Sequence, residues 1–185
     1  MNKKGDLIVT ASNDLSLRVW VKDEKLKKFI NKQTLTDHSN SVRAVIFNED
    51  ETGLISAGFD KTIRIWKLDS RTNSFKQIQT LEDHTNYIRG LDLTKDGRLL
   101  VSGAMDQTVR LWLRKSSKSR RFREFQVLKG HKDWVLAVCV SHDGAKIASA
   151  SSDRTVMIWT KDHKSELYTQ NQVLEGTRAT STQSR

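Results

Sequence analysis

Polar and apolar residues alternate along this chain in short runs that recur at matching places. Val-Arg-Ala-Val-Ile-Phe at 42–47, Ile-Arg-Gly-Leu-Asp-Leu at 88–93 and Val-Leu-Ala-Val-Cys-Val at 135–140 predict β-strands, because a period near two puts successive side chains on opposite faces of a sheet. A polar stretch follows each, at 48–53, 94–97 or 141–144, and its Thr-Gly or Asp-Gly pair suits a hairpin turn with positive φ at the glycine. Second strands are predicted at 54–57, 99–102 and 146–149, then a tight turn on an Asp, then a third strand ending in Trp. More variable fourth segments lie at 75–81, 122–128 and 167–174. No helix-period segment interrupts the series.

The strands form a repeat. Residues 11–20, 57–66, 103–112 and 150–159 are copies of one pattern, and Trp20, Trp66, Trp112 and Trp159 close them at spacings of 46, 46 and 47. Other polar positions keep the same register. His38, His84 and His131 each stand 18 residues before Ser56, Ser102 and Ser149; each Ser stands four before Asp60, Asp106 or Asp153, and each Asp six before its Trp. The first copy holds Thr10, Asp14 and Trp20 in the corresponding places. A four-stranded unit of this size cannot cover both its faces, so neighbouring units must stack.

On these residues the chain resembles the WD-repeat β-propeller family over essentially residues 5–176. The resemblance implies an all-β fold: an open arc of three complete four-stranded blades plus one incomplete N-terminal blade. It also implies that each Trp, Ser or Thr, His and Asp form a buried hydrogen-bond chain. The expected boundaries are an incomplete blade 1 at 1–36, blades at 37–82, 83–129 and 130–175, and a polar tail at 176–185. Two departures from the family pattern stand out: Val21, Lys67, Leu113 and Thr160 follow the tryptophans where the family has Asp, and Asp37 and Asp83 replace a Gly before His. Neither place belongs to the quartet. Blade 1 is expected to lack its first strand and its His, while 173–177 echoes 127–131 with Thr177 in place of His. End sheets of such an arc would expose apolar faces, which invites completion by a further propeller segment or self-association.

Composition narrows the setting. The 36% hydrophobic and 29% charged content suits a soluble globular protein, and no apolar run approaches the roughly 20 residues of a membrane helix, so no membrane span is expected. The start of the chain reads as too polar for a secretory signal, giving an intracellular, cytoplasmic or nuclear expectation. The single Cys139, set among valines, reads as a buried structural thiol. Nine scattered glycines form no phosphate-binding loop, and no cofactor or metal is indicated.

Ser, His and Asp in each unit have the composition of a hydrolase triad, but the set recurs three times with a Trp and the Ser falls inside a strand, so internal scaffolding is expected and no catalytic residue. The candidate chemistry lies on loops. Three residues after each His stand Ser41, Tyr87 and Trp134; just before each turn Asp stand Asn13, Phe59, Met105 and Ser152. In the family these loops share one rim, so Phe59, Tyr87, Met105 and Trp134 with Arg43 and Arg89 are the expected contact set for a protein or peptide partner. The net charge of +10 adds an alternative. Arg114, Lys115, Lys118, Arg120, Arg121 and Arg123, interleaved with Phe122, could grip RNA from the opposite rim. The expected function is a non-catalytic scaffold for protein–protein interactions within a larger assembly, with RNA association as the alternative.

Overall fold

A computed structural model describes residues 1–176 except 49, 117, 118 and 120. Among the described residues there are fifteen strands and no helix, and hence none long and apolar enough to cross a membrane. The strands make four antiparallel meanders in chain order. The first sheet holds β1 (Leu7–Ala11), β2 (Leu17–Asp23) and β3 (Lys28–Leu35). The second holds β4 (Val42–Phe47), β5 (Gly53–Gly58), β6 (Ile63–Asp69) and β7 (Ser74–Leu81). The third is β8 (Ile88–Leu93), β9 (Leu99–Ala104), β10 (Thr108–Leu113) and β11 (Arg123–Lys129). The fourth is β12 (Val135–Val140), β13 (Lys146–Ser151), β14 (Thr155–Lys161) and β15 (Tyr168–Glu175).

Turn chemistry explains the meander. In the second sheet Asp60 Oδ1 accepts from the Thr62 amide at 3.1 Å and the Thr62 hydroxyl at 2.9 Å, which clamps Lys61 at φ 67°. Asp106 and Asp153 clamp Gln107 and Arg154 in the same way. These are left-handed positions without glycine, held because a short carboxylate satisfies the turn's own donors. The predicted glycine turns are found at Gly97 (φ 68°) and Gly144 (φ 70°). Gly53 departs from that expectation. There the left-handed residue is Glu51 (φ 57°), while Gly53 opens β5 against the Trp66 carbonyl, where a Cβ would come to 2.8 Å. Close approach, not turn geometry, is what needs glycine at this position.

Three cores lie between successive sheets, and all three are built alike. Trp66 packs with Val9, Leu17 and Val19 of the preceding sheet; Trp112 packs with Ile55, Ile63 and Ile65; Trp159 packs with Val101, Val109 and Leu111. Each sheet thus presents a Trp face to the sheet before it and a β-branched and leucine face to the sheet after it. Bulges before each Trp, at Val19/Trp20, Ile65/Trp66, Leu111/Trp112 and Ile158/Trp159, add the local twist that lets sheets fan around an axis.

Outer strands are tied by a second device that the sequence reading did not single out. The Gln33 side-chain amide donates to the Phe75 carbonyl at 2.8 Å and accepts from the Phe75 amide at 2.8 Å. Gln79 does the same with Phe122 (2.7 and 2.9 Å), and Gln126 with Tyr168 (2.7 and 2.9 Å). Each glutamine is a two-point clip from one sheet to the next. The signal was present, since the three recur with the period of the tryptophans.

The expectation for Cys139 is corrected. Its side chain is exposed, not buried. Cys139 pairs with Ala148 on the face of β12 and β13 that turns away from the third sheet, whereas Val135, Ile147 and Trp159 fill the shared core. An apolar run thus locates the strand, but burial of its second face depends on a neighbouring sheet.

Candidate docking face and the internal tetrads

The repeated polar residues meet inside each complete sheet. In the second, Trp66 Nε1–H donates to Ser56 Oγ at 2.8 Å, Ser56 Oγ lies 2.8 Å from His38 Nε2, and His38 Nδ1 lies 2.7 Å from Asp60 Oδ2. Trp112, Ser102, His84 and Asp106 repeat this at 2.9, 2.7 and 2.7 Å. Trp159, Ser149, His131 and Asp153 repeat it at 2.9, 2.8 and 2.9 Å. An ionised Asp requires a donor at Nδ1, so Nε2 accepts a hydrogen bond from the serine hydroxyl while the serine oxygen accepts from the indole N–H. In the first sheet only the Trp20 Nε1 to Thr10 Oγ1 bond forms, at 3.0 Å, and Asp14 instead binds Ser16 and Arg18.

Although the Ser–His–Asp connectivity is that of a hydrolase, the environment is not. Ser56, Ser102 and Ser149 are fully buried and each already accepts an indole N–H. A nucleophile needs a path to substrate, and these have a Trp ring instead. Burial opposes ionisation of Asp60, but hydrogen bonds from His38 and Thr62 outweigh it and hold the carboxyl at about 2. Asp106 and Asp153 are held well below the ordinary carboxylate range by the same balance: burial raises each, and the His and Thr donors, with the Lys132 amide on Asp153, pull it down. Among the described residues no group of His, Cys, Asp and Glu is gathered to hold a metal ion.

The tetrads fix the loops above them. Each Asp turn is bonded back to the segment entering the innermost strand: the Phe59 amide donates to the Ser41 carbonyl at 2.8 Å, Met105 to Tyr87 at 2.8 Å, and Ser152 to Trp134 at 2.9 Å. The second and third sheets meet on this rim. Phe59 stacks on Tyr87 across the junction, with centroids 4.5 Å apart and planes at 10°. Arg43, second residue of β4, and Arg89, second residue of β8, place their guanidinium carbons 5.7 and 5.9 Å from the Phe59 ring centre. Neither arginine forms an ion pair or side-chain hydrogen bond among the described residues, and the turn carboxylates Asp60 and Asp106 are committed to His38 and His84. At the next junction the corresponding positions are Met105, Trp134 and Leu136. Met105 is half-buried, while Trp134 and Leu136 are 47% and 37% exposed, and Trp134 joins no ring stack among the described residues. Phe59, Tyr87, Arg43 and Arg89 therefore form one cluster, and Met105, Trp134 and Leu136 its apolar continuation. Leu136 was not singled out from sequence; only its place beside Arg43 and Arg89 in register marks it.

The basic run on the other rim is partly committed to the fold. Arg114 is half-buried, donates to the Gly97 carbonyl, and sits with its guanidinium carbon 5.1 Å from the Phe122 ring centre. Burial lowers its pKa, against the raising effect of Asp50 and Asp96. Phe122 lies in the core between the second and third sheets, 2% exposed, so it is not the free stacking platform that interleaving suggested. Lys115, Arg121 and Arg123 are exposed, whereas Lys118 and Arg120 lie outside the described residues.

The family model described as WD domain, G-beta repeat matches residues 30–67, 75–112 and 122–160, more than half of the chain, and the chain belongs to that family. No curated protein matches it. Each matched repeat starts on the outer strand of one sheet or just before it and ends on the Trp strand of the next. One sequence repeat therefore spans two sheets, which couples their folding. Proteins of this family generally serve as non-catalytic scaffolds for protein interaction.

Proposed function

We propose that the chain is a non-catalytic docking platform, placing a protein partner within a larger assembly through the rim built by Phe59, Tyr87, Arg43, Arg89, Met105 and Trp134. The observation that carries this reading is the pair of arginines converging on one stacked aromatic pair without a carboxylate of their own. A guanidinium left over an aromatic face keeps its N–H donors free for an incoming anion, and carboxylates suit that fork. The adjoining Met105, Trp134 and Leu136 suit an apolar side chain. Sheets stack about 10 Å apart and an extended chain rises about 3.3 Å per residue, so a fitting peptide carries an acidic residue and a large apolar one some two to three positions apart.

Fluorescence anisotropy with labelled peptides of this pattern tests the reading. Tyr87→Ala, Trp134→Ala and the Arg43→Gln/Arg89→Gln pair should each weaken binding by about tenfold or more, the usual scale for central aromatic and charge-paired contacts. Changing Lys115, Arg121 and Arg123 together to Gln should leave it unaltered. Binding indifferent to the rim variants overturns the platform. An RNA that binds at low salt, falls away steeply with added salt and is lost in the triple variant would favour the nucleic-acid alternative.

A further inference from the structure

Arg43 and Arg89 hold equivalent places in two neighbouring sheets, each the second residue of an innermost strand, after the buried Val42 and Ile88. The fourth sheet has Leu136 in that place, after Val135. Two cations therefore meet at one junction of the rim and are not repeated at the next. Their guanidinium carbons converge on a single ring, 5.7 and 5.9 Å from the Phe59 centre. Like charges gathered around one ring repel unless an anion joins them. Among the described residues the fold provides none. Asp60 and Asp106 are held by His38 and His84, and the exposed Asp37, Glu82 and Asp83, on the loops leading into the two strands, pair with neither arginine. No side-chain hydrogen bond of either arginine supports a strand or turn among the described residues, so the pair does nothing for the fold beyond resting on Phe59.

The geometry points to a phosphorylated serine or threonine on the docked partner as the group that fills this place. The inference rests on the docking reading above and names what the two arginines select. A carboxylate carries one charge and two oxygens, which one guanidinium fork satisfies, so a single arginine would be enough for it. A phosphomonoester carries a charge of about −1.5 to −2 and three acceptor oxygens. It can take a fork from each side and offset both cations. A short side chain also suits the site. It holds the partner backbone close to the rim, where a neighbouring large apolar residue reaches Met105, Trp134 and Leu136, whereas a phosphotyrosine would lift the backbone by the length of its ring. Docking at this rim is then switched by phosphorylation of the partner, not of this chain.

Labelled peptides that differ only at one position, phosphoserine, Glu or Ser, test this, each made with Leu about two or three residues to either side. Fluorescence anisotropy with the full chain should show the phosphoserine form binding about tenfold or more tighter than the Glu form, and the Ser form weaker than both. Arg43→Gln and Arg89→Gln, each alone, should bring the phosphoserine form to within about threefold of the Glu form, because one remaining fork serves either anion. Neither arginine has a hydrogen-bond partner inside the described fold, so both variants should keep the urea midpoint of the parent chain. Trp134→Ala should weaken both anionic forms by one factor and leave their ratio unchanged, which separates the anion subsite from the apolar one. Equal binding of the two anionic forms, lost for both in Trp134→Ala, overturns the inference and leaves the platform standing. No binding by any form, or binding indifferent to all three variants, overturns the two readings together. Phosphatidylcholine vesicles bearing a phosphoinositide that bind through Arg43 and Arg89, where no phosphopeptide does, would assign the pair to a membrane surface and overturn it as well.

Discussion

Trp112→Ala lowers the stability of the chain by about 3–5 kcal/mol, the range for deleting a buried aromatic ring. The side chain is 1% exposed and lies in the core between the second and third sheets, against Ile55, Ile63 and Ile65. Removing it opens a cavity in that core and also takes away the donor that Ser102 receives. Ser102→Ala tests the polar half of the same unit: it strands the Trp112 indole and His84 Nε2 without a partner, at about 1–3 kcal/mol for each buried orphan. Trp20→Ala is the internal comparison. Trp20 makes the same bond to Thr10 but is only half-buried, with no sheet over it among the described residues, so its loss should cost clearly less. Urea unfolding followed by far-ultraviolet circular dichroism, which does not depend on the deleted fluorophore, measures all three. Equal costs for Trp112→Ala and Trp20→Ala would show that the indole does not act through the core between sheets.

What the sequence made legible was whatever repeats in one dimension. Strand period, turn chemistry and the spacing of Trp, Ser, His and Asp all depend on near neighbours or on one unit's own hairpins, so they can be read from the order of residues. What escaped depends on the face of a strand and on which sheet lies over it. Cys139 sits in a run as apolar as that of Val42, yet it is exposed, because among the described residues no sheet lies over its side of β12. Phe122 reads as an aromatic among arginines, yet it lies under the second sheet because Gln79 ties its backbone there. Arg114 reads as one more solvated cation, but packing against Phe122 and Gly97 makes it an internal strut. At the rim the sequence named Phe59, Tyr87, Arg43 and Arg89 together. It could not say that Phe59 of one sheet would stack on Tyr87 of the next, which is settled by how far the sheets rotate.

Acid should unfold the chain through the tetrads, and the direction follows from their carboxylates. Asp60 ordinarily titrates near 3.8 and is held at about 2 in the folded chain. A carboxyl whose pKa is lowered by folding binds protons more readily when unfolded, so its contribution is full above about pH 4 and disappears as pH falls through about 2. With its side chain only 1% exposed, little solvent screening applies, and the depression corresponds to roughly 2 kcal/mol. Asp106 and Asp153 are displaced in the same direction and further, so their contribution also begins to fall below about pH 4 and goes on falling at lower pH than that of Asp60. Because single domains are commonly stable by only about 5–15 kcal/mol, proton uptake by three such groups on unfolding should bring the chain near its unfolding midpoint in this acid range. Urea midpoints measured in steps from pH 7 to pH 2.5 should hold roughly level down to about pH 5 and then fall steeply. In Asp60→Asn the chain is weaker at pH 7 and the acid limb is shallower, since the group that took up the proton is gone. An acid limb of unchanged steepness in that variant would mean that the pH dependence arises outside the His38 and Asp60 pair.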